Sequence, residues 1–133
     1  MATQFCRWDP TMKMIGLRFS NVMDDADYAE FRTFDSDPAS RKWNLWSYID
    51  ARDGAGAAVL ALDYDAVGFS CFNIANADSV MTTPSEHLLD QFLPGVARHA
   101  EIPGTASCIS IEKARRELGF DPTHSWRNIT VAK

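Results

Sequence analysis

Apolar residues fall into short blocks along this chain, separated by turn formers, and the blocks alternate between strand-like and helix-like patterns. Met1 to Trp8 mixes polar and apolar positions, is compatible with a helix, and is stopped by Asp9-Pro10. Met14 to Phe19 is an apolar run broken only by Arg18, the pattern of a strand covered on both faces. Asp24 to Asn44 is acidic, then basic, with Asp35, Ser36, Asp37, Pro38 and Ser40 as turn formers. It predicts a short helix around Ala26 to Arg32 and a single helical turn after Pro38. Tyr48 and Ile49 are good strand formers, and Asp50 then offers an N-cap with Asp53 in the first helical turn. Ala55 to Leu62 is apolar all round, which predicts a deeply buried helix. A short apolar strand feeding a buried helix is the joint of an α/β protein.

The second half repeats the alternation. Asp63 to Gly68 reads as a loop, Phe69 to Ala75 as a second buried strand, and Asn76-Ala77-Asp78 as its end. Thr83 is placed to cap a helix with Pro84 at its first position and Glu86 completing a capping box. Leu88, Leu89, Phe92 and Leu93 form that helix's apolar stripe, and Pro94-Gly95 ends it. Ser110 is placed to cap a last helix through Leu118, with Gly119 as a left-handed C-cap and Pro122 as a stop. Asn128 to Lys133 carries no assignment. No repeat, linker or low-complexity segment divides the chain, so residues 1–133 are read as one domain.

Composition narrows the partners. A domain of 133 residues buries roughly two-thirds of its unfolded surface by size scaling. Hydrophobic content of 46% and charged content of 23% are globular values and exclude wholesale disorder. A net charge of -5 without a basic stripe argues against nucleic acid. No apolar run reaches the roughly 18 residues of a membrane span. With no charged-then-apolar leader, the default location is the cytoplasm. Cys6, Cys71 and Cys108 are odd in number and far apart, so they read as buried thiols.

Few residues suggest chemistry by themselves. Ser20, Asn21 and Val22 leave the first strand at its C-terminal end, where open α/β sheets bind ligands. Asn21 offers both a donor and an acceptor to a sugar hydroxyl or a phosphate. Tyr48, Asp50 and Arg52 cluster at the strand–helix joint. His87, His99 and His124 share no metal-ligand spacing, and His87 and His124 are expected in solvent. Cys71 and Cys108 lie in apolar settings, which disfavours the thiolate. Trp43, Trp46 and Trp126 read as packing residues. Asp24-Asp25 reads as an exposed acidic face, and Asn128-Ile129-Thr130 as a chance glycosylation sequon.

Three segments in order, KMIGLRFSNV at Lys13 to Val22, WSYIDARDGAGAAVLAL at Trp46 to Leu62 and SIEKARRELGFDP at Ser110 to Pro122, resemble the C-terminal half of an extended short-chain dehydrogenase/reductase, the NAD-dependent epimerase/dehydratase group. The resemblance covers about Met12 to Trp126. It implies a partial Rossmann-like α/β fold: the last parallel strands of a dinucleotide-binding sheet plus a small, mostly helical substrate-binding lobe. It implies that Ser20 and Val22 touch the nicotinamide end of NAD or NADP, and that Asn21, Trp46, Tyr48 and Arg52 meet a sugar-like substrate. In nucleotide-sugar members an arginine just before the tyrosine holds the diphosphate. Trp46 stands there in this chain, which suits a sugar face or an apolar acyl group, or moves the anchor to Arg41, Lys42 or Arg52.

The same resemblance marks what this sequence does not contain. Seven glycines form no Gly-x-Gly-x-x-Gly loop; Gly54-Ala55-Gly56 comes nearest, with Val59 in the third glycine's place. The family's Tyr-x-x-x-Lys pair has only Tyr28/Arg32 and Tyr48/Arg52 as analogues. The chain is therefore expected to hold the substrate-binding half of such an oxidoreductase, to bind no dinucleotide tightly, and to be inactive alone. The alternative is a non-catalytic ligand- or subunit-binding module. In either case strands at Met14 and Phe69 lack neighbours, which predicts self-association through an exposed sheet edge. A stand-alone hydrolase has no coherent nucleophile and base: in Gly68-Phe69-Ser70 a phenylalanine, Phe72, replaces the final glycine of a nucleophile elbow.

Overall fold

A computed structural model describes residues 1–129. Its elements follow the order α1 (Ala2–Trp8), β1 (Lys13–Phe19), β2 (Asn21–Met23), α2 (Tyr28–Phe34), a 3₁₀ helix (Pro38–Asn44), β3 (Tyr48–Asp50), α3 (Ala51–Asp63), β4 (Gly68–Ile74), α4 (Ser85–Phe92) and α5 (Glu112–Leu118). The protein is mixed α/β with parallel strand pairs. β1 pairs with β4 in parallel, Lys13 opposite Gly68 through Phe19 opposite Ile74. β2 pairs with β3 in parallel, Asn21 opposite Tyr48 through Met23 opposite Asp50. The chain thus runs out along β1, bends at Ser20 into β2, and returns through β3, α3 and β4.

β3 is only three residues long, and all three are buried. Side chains alternate along a strand, so its neighbours Tyr48 and Ile49 enter different cores. Tyr48 joins a cluster with Tyr28, Phe31, Trp46, Met81, Leu88 and Trp126. Ile49 joins a second cluster with Ala57, Phe72, Ile74, Ile111 and Phe120. The first cluster packs the helical segments around α2 and α4; the second packs α3 and α5 on the β1–β4 pair. One short strand therefore holds both halves of the structure in register.

Several expectations are corrected. α3 is not buried all round: Asp53, Gly54, Ala57 and Ala61 face inward, while Val59 is 58% and Leu62 77% exposed. The apolar run sets the helix, yet only one stripe finds a partner. β1 is half-buried or exposed along its length, because its sheet has two strands and α1, the helix on one face, buries no residue of its own. The three cysteines are free and half-buried, not buried. α4 begins at Ser85 with no side-chain cap. Thr83 instead turns its hydroxyl to Asp35, and Glu86 accepts from the backbone N–H of Ile102 at 3.3 Å. At α5, Ser110 bonds the N–H of Glu112 at 3.4 Å while Ile111 takes the cap position. Gly119 closes α5 in the left-handed conformation, φ 68°, as its sequence position predicts. Thr130 of the sequon lies outside the described residues.

Candidate functional site

Asp50 organises the strand–helix joint. Its backbone ends β3 and its side chain accepts from the N–H of Arg52 at 2.8 Å, the expected N-cap. Arg52 returns to the same carboxylate through Nε at 2.9 Å and Nη2 at 2.7 Å, and reaches Asp25 at 2.7 Å. The Tyr28 hydroxyl donates to Oδ2, the oxygen that Arg52 Nη2 also reaches. Burial pushes the Asp50 carboxyl up, but the hydrogen bonds from Arg52 and Tyr28 outweigh it, and the group is held well below the usual carboxylate range. Arg52, expected to meet substrate, thus spends its guanidinium on two carboxylates. The joint is an ion-paired brace.

Trp46 and Tyr48 are likewise corrected: both are wholly buried and offer no surface to a ligand. Trp46 packs on Phe92 and donates its indole N–H to Pro38 O at 2.8 Å. The Tyr48 hydroxyl donates to Asp78 at 3.0 Å and accepts from Asn76 Nδ2 at 2.9 Å. Burial raises the Tyr48 and Tyr28 hydroxyls, and the neighbouring charges of Asp78 and Asp50 raise them further. A tyrosine base needs the opposite shift, produced by a nearby cation. Neither tyrosine is suited to that role.

Ser20, Asn21 and Val22 are brought together on one surface. With Phe19, Trp43, Asn44 and Ile109 they line a cleft of about 410 Å³ at the end of β1. That volume falls within the roughly 300–1,000 Å³ of small-ligand sites. Among the described residues no charged side chain lines it. Val22 is 51% exposed and Trp43 70%, so a flat indole and an aliphatic edge stand open to solvent. Trp43 is thereby corrected from a packing residue to a surface one. Asn44 is nine-tenths buried; its Nδ2 donates to Ser47 O at 2.8 Å, and its Oδ1 has no partner. Ser20 Oγ is also buried without a partner. Buried polar atoms are almost always satisfied, and an orphan costs about 1–3 kcal/mol. Asn21 spends its Nδ2 on a thioether, Met23 Sδ at 2.8 Å, a weak acceptor. Beside the cleft, Leu45 and Trp46 carry positive φ, 54° and 56°, a conformation bulky residues adopt at a cost of about 1–3 kcal/mol. Unpartnered oxygens and stored backbone strain converge on one place.

Trp43 and Asn44 were not singled out as ligand residues by the sequence. The available signal was an aromatic set in a polar stretch, Arg41-Lys42-Trp43-Asn44, where a core would not be expected. Arg41 does not line the cleft. Its guanidinium sits 4.7 Å over Phe34 and 5.7 Å from Trp43, with Nε and Nη2 buried and unpartnered, and burial lowers its pKa.

The dinucleotide's pyrophosphate does not fit the nearest glycines. Gly54 lies inside α3, where an added Cβ would meet Phe19 at 3.5 Å and Ile49 at 3.7 Å; it lets the helix approach β1 and β3. Gly56 is exposed in mid-helix. Neither opens a helix N-terminus to a phosphate.

His124 is not simply solvated. It is half-buried and bonds Asp53. Among the described residues no group of three or more His, Cys, Asp or Glu side chains is arranged to hold a metal, and no helix is long and apolar enough to cross a membrane. No protein-family model matches the chain, and no curated protein matches it significantly.

Proposed function

We propose that the chain is the substrate-binding portion of an NAD-dependent sugar epimerase/dehydratase-like oxidoreductase, and that the cleft at Ser20–Val22 receives the sugar-like ring. One observation carries this reading: β1 delivers Ser20, Asn21 and Val22 to the carboxyl end of a parallel strand pair, where Asn44 Oδ1 and Ser20 Oγ wait without partners. Ligands of open α/β sheets bind at that end. The parallel pairs β1–β4 and β2–β3, with α3 between β3 and β4, are compatible with a partial α/β fold of this kind.

In this reading Trp43 stacks on the apolar face of the ring, and Asn21 and Ser20 orient its hydroxyls. Asn44 Oδ1 accepts a hydrogen bond from a ring hydroxyl. In the intact parent a dinucleotide, NAD or NADP, would exchange the hydride. The groups that grip it and the tyrosine base are not among this chain's residues, so the chain alone binds without turnover.

Titration with NAD and with neutral monosaccharides, followed by tryptophan fluorescence, tests the reading. Monosaccharides are expected to change the emission of the exposed Trp43 saturably, and Trp43→Phe to remove the change. NAD is expected to give none. Tight stoichiometric NAD binding, or turnover by these 133 residues alone, would overturn it.

A second reading, a subunit-binding module, is favoured by the edge of β1 that no strand among the described residues fills. A groove of about 410 Å³ runs between Ile15 and Leu17 of β1 and Ala58, Ala61 and Leu62 of α3. A second copy of this chain is the occupant that reading names.

A further inference from the structure

The cleft has a larger neighbour. Ile109 lines it and also lines a cavity of about 720 Å³ formed by α4 and the segment from Val96 to Glu112. Leu45, the residue after Asn44, lines this cavity, so the two spaces abut along both Asn44-Leu45 and Ile109. The cavity wall is mostly aliphatic: Leu89, Leu93, Ile102 and Ile111 are among its residues. Its cations are already engaged. Arg98 pairs with Asp90, and Arg115 pairs with Glu112 at 2.7 Å and Asp121 at 3.2 Å.

We propose that the two spaces form one bipartite site for an uncharged amphipathic ligand, with a hydroxylated ring in the cleft and an apolar acyl or alkyl chain passing Ile109 into the cavity. The inference rests on the ring-binding reading of the cleft and adds the second half of the ligand. Three observations carry it. The cleft has an exposed indole, two buried unpartnered oxygens on its wall residues Ser20 and Asn44, and no cation among the described residues that line it, so it matches hydroxyls and not a diphosphate. The cavity offers mostly aliphatic surface, its two arginines are paired, and Glu101 is its one lining carboxylate without an ion pair among the described residues, so it matches methylenes better than a charged group. The two share a wall, so one molecule spans both. The substrate class is a lipid-like or acylated glycoside, which departs from the nucleotide-linked sugars of the resembled family.

Methyl, butyl and octyl glycosides of one sugar, each below its micelle concentration, are titrated calorimetrically into the full chain. Each methylene seated in the cavity is worth roughly fourfold in affinity, so the octyl compound is expected to bind at least about tenfold more tightly than the methyl one. Trp43→Ala is expected to weaken all three by the same factor. Ala100→Trp fills the cavity from an exposed position and is expected to bring the octyl compound down to the methyl affinity while leaving the methyl compound unchanged. Cys108, which lines the cavity, gives a second readout: octyl glycoside slows its alkylation and methyl glycoside does not. Affinity independent of chain length overturns the tail site and leaves the ring reading standing. Affinity that grows with chain length, is matched by simple alcohols and ignores Trp43→Ala overturns the ring reading and with it the bipartite site.

Discussion

Asp53 and His124 are joined twice: the backbone N–H of His124 meets Asp53 Oδ2 at 2.8 Å, and its Nδ1 meets Oδ1 at 2.8 Å. Thr123 adds its own N–H at 3.0 Å and its hydroxyl at 3.3 Å. A carboxylate at the start of α3 therefore holds the segment that follows α5, some 70 residues along the chain. Asn76 secures the same segment from another side, donating to His124 O at 2.5 Å.

Asp53→Ala should leave those donors without their acceptor. Hydrogen bonds to a charged group contribute about 1.5–3 kcal/mol, so the variant is expected to lose about 2–3 kcal/mol in denaturant unfolding, with amide exchange accelerating first at residues 123–126. His124→Ala keeps the backbone bond and should lose about 1 kcal/mol. Equal losses in the two variants would show that the backbone contacts contribute little.

The Tyr28–Asp50 contact sets the pH range of stability. Asp50 is depressed in the folded state, so its contribution is present above the ordinary carboxylate value and is lost as pH falls below it. Tyr28 is raised, so its contribution is present below the ordinary tyrosine value and is lost as pH climbs above it. Stability is expected to be flat between these limits as far as this pair is concerned. Tyr28→Phe should flatten the alkaline fall, and Asp50→Asn the acidic one. Ultraviolet titration should show Tyr28 and Tyr48 resisting ionisation until the chain unfolds; normal titration of both would contradict the buried network.

Two tryptophans three residues apart should behave oppositely. Trp46 is fully buried and Trp43 is 70% exposed. Trp46→Ala is expected to lose about 3–5 kcal/mol and to leave little folded protein. Trp43→Ala should change stability by less than about 0.5 kcal/mol while abolishing the fluorescence response to ring ligands. Thermal melts and emission spectra of the two variants decide it. A large destabilisation in Trp43→Ala would return that residue to the packing role first read from the sequence.

Gly119 tests the reading of the chain's punctuation. It has φ 68°, and an added Cβ would find nothing within 4 Å, so only backbone strain opposes a side chain. Gly119→Ala is expected to lose about 1 kcal/mol, and Gly119→Asn less, as measured by chemical denaturation.

Local signals were legible and partner choice was not. The strands near Met14 and Phe69, the Asp50 cap and the Gly119 stop depend on neighbouring residues, and the structure has all of them. The capping box at Thr83 is a local motif too, but Asp35, 48 residues away in sequence, takes the Thr83 hydroxyl. Composition alone does not fix which face of an apolar helix finds cover, hence the exposed outer stripe of α3. At the site, Ser20, Asn21 and Val22 were legible because they follow a strand. Tyr48 lies opposite Asn21 in the β2–β3 pair, yet Trp46, Tyr48 and Arg52 turn into the core or onto carboxylates. The unpartnered Oδ1 of Asn44 depends on where every other donor went, which no sequence window contains.

The exposed stripe of α3 yields the last prediction. Among the described residues β1 has a hydrogen-bonded neighbour on one edge only, and Val59 and Leu62 stand exposed beside the groove that Ile15 and Leu17 border. An unpaired strand edge flanked by apolar surface invites pairing with another chain. Sedimentation at rising concentration is expected to show a reversible dimer of this chain. Val59→Glu with Leu62→Glu should hold the chain monomeric by placing like charges across the contact. Both side chains lie outside the core, so thermal stability at low concentration should change little. A wild-type chain that stays monomeric at high concentration would remove the subunit-binding reading and leave the cleft at Ser20 as the functional surface.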